Sequence, residues 1–386
     1  MREPRLRSST VMEEGKQAVL LLEDGTIFRG VGFGAETEVS GEVVFNTSMY
    51  GYPELLTDPS YYDQIVVMTY PIIGSYGVPS RSLADQHGLP LHFESDAIKV
   101  KGYAVHALSN PSHWSSERTL QDWLESENVP GISGIDTRAL TQKLRTKGTM
   151  LGTLRVSSNG IDPEQGQRDL RKLQDPNQYD IVKKVSPPQP IIYNGDKGAT
   201  VVVIDCGAKF GIVRELLAKG VGVVRVPYDY PLDKILRFNP RGIVISNGPG
   251  DPTKCEKTIE TTRQLISDTE LPVMGICLGS QILGLAAGGG TFKLKFGHRA
   301  VNHPCLDLKT GRCYITTQNH GYTVEEKSIA DTDFETSFIN VNDKTVEGIR
   351  HKKKKIIGVQ WHPESSPGPH DTQFLFAEFL GDSVKN

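Results

Sequence analysis

Residues Gly275-Ile276-Cys277-Leu278-Gly279-Ser280-Gln281 constrain this chain more than any other stretch. An apolar run over 271–276 leads straight into Cys277, and a helix-like pattern over 278–287 begins at once. A strand that reverses into a helix within one residue crowds its neighbours. That explains a glycine on each side, Gly275 and Gly279, where a Cβ has little room. The spacing predicts a sharp elbow that holds a thiol at a helix N-terminus, where unpaired N–H groups and partial positive charge favour a thiolate nucleophile. Taken alone, the pattern also suits a buried cysteine at the end of a core strand, the commoner fate of a single Cys.

A second stretch, Gln360-Trp361-His362-Pro363-Glu364, closes an apolar strand expected over 355–361. A histidine and a carboxylate two apart on extended backbone share a side, so Glu364 can hold the His362 imidazole in one tautomer. Pro363 restricts the backbone between them. By itself this pair reads more readily as an ordinary surface His and Glu at a strand end. With Cys277 and a glycine turn at Gly248-Pro249-Gly250-Asp251, it becomes a nucleophile, a base and an orienter, which is far more specific than any one part.

The set Ser246-Asn247-Gly248-Pro249-Gly250-Asp251-Pro252, Gly-Ile-Cys-Leu-Gly-x-Gln at 275–281, Gln318-Asn319-His320-Gly321-Tyr322 and His362-Pro363-Glu364 resembles the class I, or triad, glutamine amidotransferases. Two N-terminal segments, residues 44–53 and 56–61, are similar to the small, glutamine-hydrolysing subunit of carbamoyl-phosphate synthetase. This resemblance extends from about Lys16 to the C-terminus. It implies a Cys277, His362 and Glu364 triad that releases ammonia from L-glutamine through a thioester. Leu278 and Gly248 would offer N–H groups to the oxyanion, and Ser48, Gly250, Gln281, Asn319, Gly321 and Tyr322 would hold the amino acid. It further implies a large synthetase subunit that combines the ammonia with bicarbonate and ATP to give carbamoyl phosphate for pyrimidine and arginine synthesis. ATP and magnesium are expected on that partner, and no cofactor or metal on this chain. Two positions depart from the family pattern: Ser280 stands where histidine is frequent and Tyr322 where phenylalanine is common. Position 280 could face a subunit interface.

The rest of the chain fits this frame. At 386 residues and 37% hydrophobic content it is long enough for two cores, and a formal charge of −3 argues against a nucleic-acid partner. No apolar run approaches a membrane span. Five cysteines without Cys-x-x-Cys spacing suggest neither a disulfide framework nor zinc, and a free thiol suits a reducing cytoplasm. His298, His303 and His320 fit no recurring metal-ligand spacing. The run His351-Lys352-Lys353-Lys354-Lys355 reads as a solvated hairpin tip.

Four segments are expected: a disordered leader over 1–15, a β-rich α+β domain over 16–185 that docks the synthetase, a proline-stiffened linker over 186–198, and a doubly wound α/β domain over 199–386. In the first domain, Asp24-Gly25 signals a hairpin, a helix is expected over 117–125, and another runs over 137–147 between Asp136 and Gly148. In the second, Gly248 and Cys277 both fall at the carboxyl ends of strands, where open α/β sheets place their sites. Antiparallel strands over 312–317, 345–350 and 355–361 and a helix over 372–380 complete it. Other readings stay open from the residues alone: the glutaminase of a different amidotransferase, a thiol hydrolase of another class, or a non-catalytic interaction subunit. Joint presence of Cys277, His362 and Glu364 argues against the last.

Overall fold

The computed structural model describes residues 15–161, 173–194 and 198–381. Residues 1–14 of the expected leader fall outside this description, as do 195–197 of the expected linker.

The N-terminal half closes into a barrel, which its β-rich pattern does not by itself announce. Its strands are β1 (Gln17–Leu22), β2 (Ile27–Gly34), β3 (Glu38–Asn46), β4 (Gln64–Met68), β6 (Gly102–Ala104), β8 (Pro130–Ser133) and β9 (Met150–Ser157), in the order β1-β2-β8-β6-β4-β3-β9. A two-stranded sheet of β5 (Ile72–Ile73) and β7 (Ala107–Leu108) lies outside that ring. Closure comes from antiparallel pairing of β1 with β9, Leu20 opposite Leu154. Alternate side chains divide between two cores, as a period of two dictates. Val43, Phe45, Ile65 and Val67 join Leu20, Leu22, Ile132 and Leu154 in one; Val44, Val66 and Met68 pack in the other. The second core is covered by helices α1 (Tyr52–Thr57) and α2 (Leu120–Ser126), with Trp123 fully buried. Helix α2 starts three residues later than expected because Thr119 is its cap, accepting from Asp122 N–H at 3.0 Å. Helix α3 (Thr137–Lys147) has the expected ends: Asp136 accepts from Ala139 N–H at 2.8 Å, and Gly148 stops it at φ 106°.

The C-terminal half is one ten-stranded sheet, in the order β10-β12-β11-β13-β14-β19-β18-β17-β15-β16. Strands β11 (Thr200–Asp205), β12 (Gly222–Pro227), β13 (Gly242–Ile245), β14 (Val273–Ile276) and β19 (Ile356–Val359) run parallel, and β10 (Ile191–Tyr193) pairs antiparallel at one edge. Both faces are covered, so β11 reads as an unbroken apolar run: Val201 and Val203 enter one core, Val202 and Ile204 the other. The covering helices are α4 (Phe210–Ala218), α5 (Leu232–Leu236), α6 (Glu256–Asp268), α7 (Leu278–Ala286) and α8 (Phe374–Leu380).

The antiparallel strands β15 (Thr291–Asp307), β16 (Cys313–Val324), β17 (Phe334–Asn340) and β18 (Val346–His351) continue this sheet without a break. The 17-residue β15 was not expected, and β16 runs well past residue 317 because β15 pairs with it as far as Thr291 opposite Val324. The lysine run joins β18 to β19, as a hairpin tip should. Among the described residues no helix is long and apolar enough to cross a membrane.

Candidate active site

Cys277 is the single residue between β14 and α7. Its φ of 53° and ψ of −105° are a strained elbow that costs a non-glycine residue on the order of 1–3 kcal/mol. The surroundings hold it there. Its N–H donates to Val359 O at 2.8 Å, and its carbonyl accepts from Ser280 N–H at 3.0 Å. The flanking glycines are obligatory. A Cβ on Gly275 would stand 2.5 Å from Gly279 O, and one on Gly279 only 2.0 Å from Ile245 O.

Because β14 and β19 are parallel neighbours with Ile276 beside Val359, the chain leaving β19 passes the elbow. His362 N–H donates to Thr317 O at 2.9 Å, which fixes this exit to β16. His362 Nδ1–H donates to Glu364 Oε1 at 2.7 Å, with both side chains shut from solvent. The opposite nitrogen, Nε2, is buried and has no hydrogen-bond partner among the described residues. Burial works against a charged imidazole, but the Glu364 carboxylate outweighs it and the Cys277 thiol adds to the effect, so His362 is raised above the ordinary histidine range.

Lys209 is the residue that the sequence reading missed. Its Nζ lies 2.9 Å from the same Glu364 Oε1, on a side chain only 3% exposed. Burial alone would strip this proton; Glu364, Glu94 and Asp58 hold it instead, well above the usual lysine range. Burial likewise pushes Glu364 up, yet Lys209 first and His362 second bring it well below the ordinary carboxylate range. A lone lysine looks like surface in a sequence. The available signal was its place just beyond β11, at the same end of the sheet as Gly248 and Cys277.

The glycine turn after β13 is fixed by its neighbours. Ser246 Oγ accepts from Cys206 N–H at 2.9 Å and Asn247 Oδ1 from Lys209 N–H at 3.1 Å. A Cβ on Gly248 would sit 2.2 Å from Cys206 O and 2.8 Å from Leu278 Cδ2, so this glycine lies directly against the first residue of α7. The first N–H of a helix has no intrahelical partner, which leaves Leu278 N–H available beside the thiol. Gly250 takes φ 88° against Ile181.

A pocket opens onto Cys277, lined among others by Gly248, Gly250, Gln281, Asn319, Gly321 and Tyr322. Gln281 Nε2 donates to Tyr322 O at 2.7 Å and to Gln360 Oε1 at 3.1 Å, which binds α7 to β16 and to the exit from β19. Gln360 Nε2 also approaches Cys277 Sγ, at 3.8 Å, and the thiol faces Asn319 O at 3.5 Å. The barrel domain supplies another wall through Glu42, Ser60 and Gln64. Asn319 Nδ2 donates to Asp58 Oδ2 at 2.8 Å and Asn247 Nδ2 to Ser60 Oγ at 2.9 Å, so both domains shape the cavity.

Ser48 lines a cavity that adjoins the Cys277 pocket at Asn319 and is also lined by Lys209 and His362, and its N–H donates to Asn46 Oδ1 at 2.6 Å. Ser60, twelve residues on, lines the Cys277 pocket, because Asp58 caps the short turn at Pro59–Tyr61 and turns it inward. One expectation is corrected. Ser280 does not face an interface: it is 2% exposed and packs under the sheet on Gly358.

His298, His320 and Glu347 do come together, their donor atoms within 4.8 Å. The nitrogens and oxygens there already have protein partners. Gln318 Oε1 bridges both histidines at 3.2 and 2.7 Å and its Nε2 donates to Glu347 at 2.9 Å, Asp343 accepts from His298 Nε2 at 2.8 Å, and Asn340 Nδ2 donates to Glu347 at 2.8 Å. This donor set is a satisfied polar network.

Comparison with known proteins agrees with this geometry. The family described as glutamine amidotransferase class-I matches residues 202–381, and the carbamoyl-phosphate synthase small chain, CPSase domain, matches 20–154. The carbamoyl phosphate synthase small chain of Pyrococcus furiosus is 47% identical over 95% of this chain and 97% of its own length. That of Methanocaldococcus jannaschii is 47% identical over 94% of this chain and 98% of its own. The arginine-specific small chain of Aspergillus fumigatus is 45% identical over 96% of this chain and 80% of its own. An elbow cysteine in a class-I amidotransferase domain, joined to a barrel of the small-chain type, places the protein in the carbamoyl phosphate synthase small chain family.

Proposed function

We propose that this chain hydrolyses L-glutamine to glutamate and ammonia at Cys277 and delivers the ammonia to a large synthetase subunit. One observation carries the reading: Cys277 and the His362–Glu364 pair, distant in sequence, converge from the carboxyl ends of adjacent parallel strands. The Cys277 thiolate attacks the side-chain amide carbon, and the oxyanion is met by the N–H groups of Leu278 and Gly248. His362, held protonated by Glu364, gives its proton to the departing ammonia, which leaves a thioester. The neutral imidazole then takes a proton from water as that water attacks the thioester, and glutamate is released with the thiol restored. Lys209 keeps Glu364 ionised through both halves of the cycle.

Gly250, Gln281, Asn319, Gly321 and Tyr322 surround the space for the amino-acid end of glutamine, with Ser60 opposite. In this reading the chain needs no cofactor of its own. ATP and magnesium bind the large subunit, which makes carbamoyl phosphate in the cytoplasm for arginine and pyrimidine synthesis. The test is glutamate release from glutamine by the purified chain, with and without the large subunit, together with labelling of Cys277 by a glutamine-like electrophile. Labelling that glutamine does not protect against would count against the proposal.

A further inference from the structure

Helix α4 begins without a cap of its own. Its N-cap residue is Lys209, which makes no side-chain capping bond, whereas Ser, Thr, Asp or Asn would accept from the first-turn N–H groups. The cap comes from the other domain. Glu94, fully buried in the loop before β6, accepts Phe210 N–H on its carbonyl oxygen at 2.9 Å and Gly211 N–H on Oε2 at 2.9 Å. Its Oε1 accepts from Arg214 Nη2, one turn along α4, at 2.6 Å, and Arg214 also donates to Pro90 O at 2.6 Å. Glu94 is itself held, since its N–H donates to Thr57 Oγ1 at 2.8 Å.

The absent side chain of Gly211 lets two acids approach. A Cβ there would lie 2.9 Å from Glu364 Cγ and 3.0 Å from Glu94 Oε2, so both carboxylate side chains flank the same bare backbone. At the head of this capped turn, Lys209 aims its ammonium at Glu364 Oε1.

We infer that Glu94 is a cross-domain positioning residue: by capping α4 from the barrel side it sets where Lys209 meets Glu364, and through Glu364 the orientation of His362. The inference rests on the glutaminase reading. Glu94 lines neither the Cys277 pocket nor the cavity beyond Asn319, so its influence falls on turnover and not on glutamine affinity. It also gives the barrel domain a short physical route to the triad, by which a body docked on that domain reaches the chemistry.

A double-mutant cycle between E94A and K209M in the full chain tests this, with kcat for glutamate release expressed per Cys277 labelled by a glutamine-like electrophile. E94A is expected to lower kcat about tenfold, the scale of a sub-ångström misplacement, with KM within about twofold. E94Q keeps an acceptor oxygen for Gly211 N–H and is expected to lose less. In the K209M background E94A should cost nothing further, because residues acting through one contact are not additive. The same cycle against E364Q serves where K209M does not fold. Hydrogen exchange adds a reading free of activity: E94A should speed exchange at the Phe210 and Gly211 amides. Multiplying losses in an active chain, or unchanged protection of those amides, overturns the positioning role alone. A wild-type chain that releases no glutamate overturns the glutaminase reading, and the positioning role with it.

Discussion

The Lys209 ammonium and the Glu364 carboxylate meet 2.9 Å apart in a space closed to solvent. His362 draws on the same oxygen at 2.7 Å, while the other, Oε2, is buried with no partner. Glu364 thus has two donors on one oxygen, one from the loop after β11 and one from the exit of β19. Lys209→Met removes one donor and leaves a buried charge short of compensation. The expected cost is about 3–5 kcal/mol of stability, with a fall in glutamine turnover. Urea unfolding would show it, and a midpoint equal to that of the wild type would mean that the ion pair contributes nothing.

On the proposed mechanism the triad separates the two nitrogen sources. Cys277→Ala should abolish glutamine-dependent carbamoyl phosphate synthesis by the assembled enzyme while ammonia-dependent synthesis stays largely intact. His362→Asn should follow it. Glu364→Gln should lose less, because removing the orienting carboxylate of a triad costs less than removing its nucleophile or base. Assays with each nitrogen source decide the point, and equal losses with both would contradict it.

Ser60 and Ser48 flank the site from two adjoining cavities. Ser60 stands on the wall of the Cys277 pocket, and Ser48 shares with His362 the cavity that meets it at Asn319. Ser60→Ala is expected to raise the glutamine KM several-fold, about what one lost hydrogen bond of 0.5–1.5 kcal/mol gives. Ser48→Ala is expected to raise it as well. A KM near that of the wild type in either variant would remove that serine from the glutamine site.

Stability should fall on the alkaline side of neutrality. Burial works against the charge on His298, but its bonds to Asp343 and Glu347 outweigh this and raise it to about 9. A raised histidine stabilises fully below its unfolded value near 6.5 and loses that contribution as pH climbs to the folded value. The neighbouring rings act elsewhere. Burial lowers His303 to about 4 and His320 well below its usual value, so their contributions are lost on the acid side of 6.5. Asp343 is depressed and also acts at low pH, whereas His362 is raised and adds to the alkaline slope. His298→Asn should therefore flatten, without abolishing, the decline in melting temperature between about pH 6.5 and 9. An unaltered slope would show that His298 carries no charge in the fold.

What the sequence disclosed and what it withheld follow one physical line. The elbow was legible because its demands are local: Gly275 and Gly279 answer contacts within a few residues or with the adjoining strand. The caps at Asp136 and Gly148 were legible for the same reason. Barrel closure was not, because it depends on β1 meeting β9 across more than a hundred residues of chain. Lys209 was hidden because its charge is balanced by acids from three separate segments, Asp58, Glu94 and Glu364. Ser60 was hidden because packing between the domains, with Asn247 donating to its Oγ, brings it to the pocket.

The position of β19 has a consequence for how the protein comes into being. It lies between β14 and β18, yet among the described strands it comes last in the sequence. While the polypeptide is still being synthesised, the elbow emerges long before the histidine that serves it. The gap between β14 and β18 closes only when residues 356–359 slot in, a long-range pairing of the kind that forms late. A half-made chain therefore carries a thiol without its imidazole, so the order of translation itself keeps an unfinished protein chemically silent.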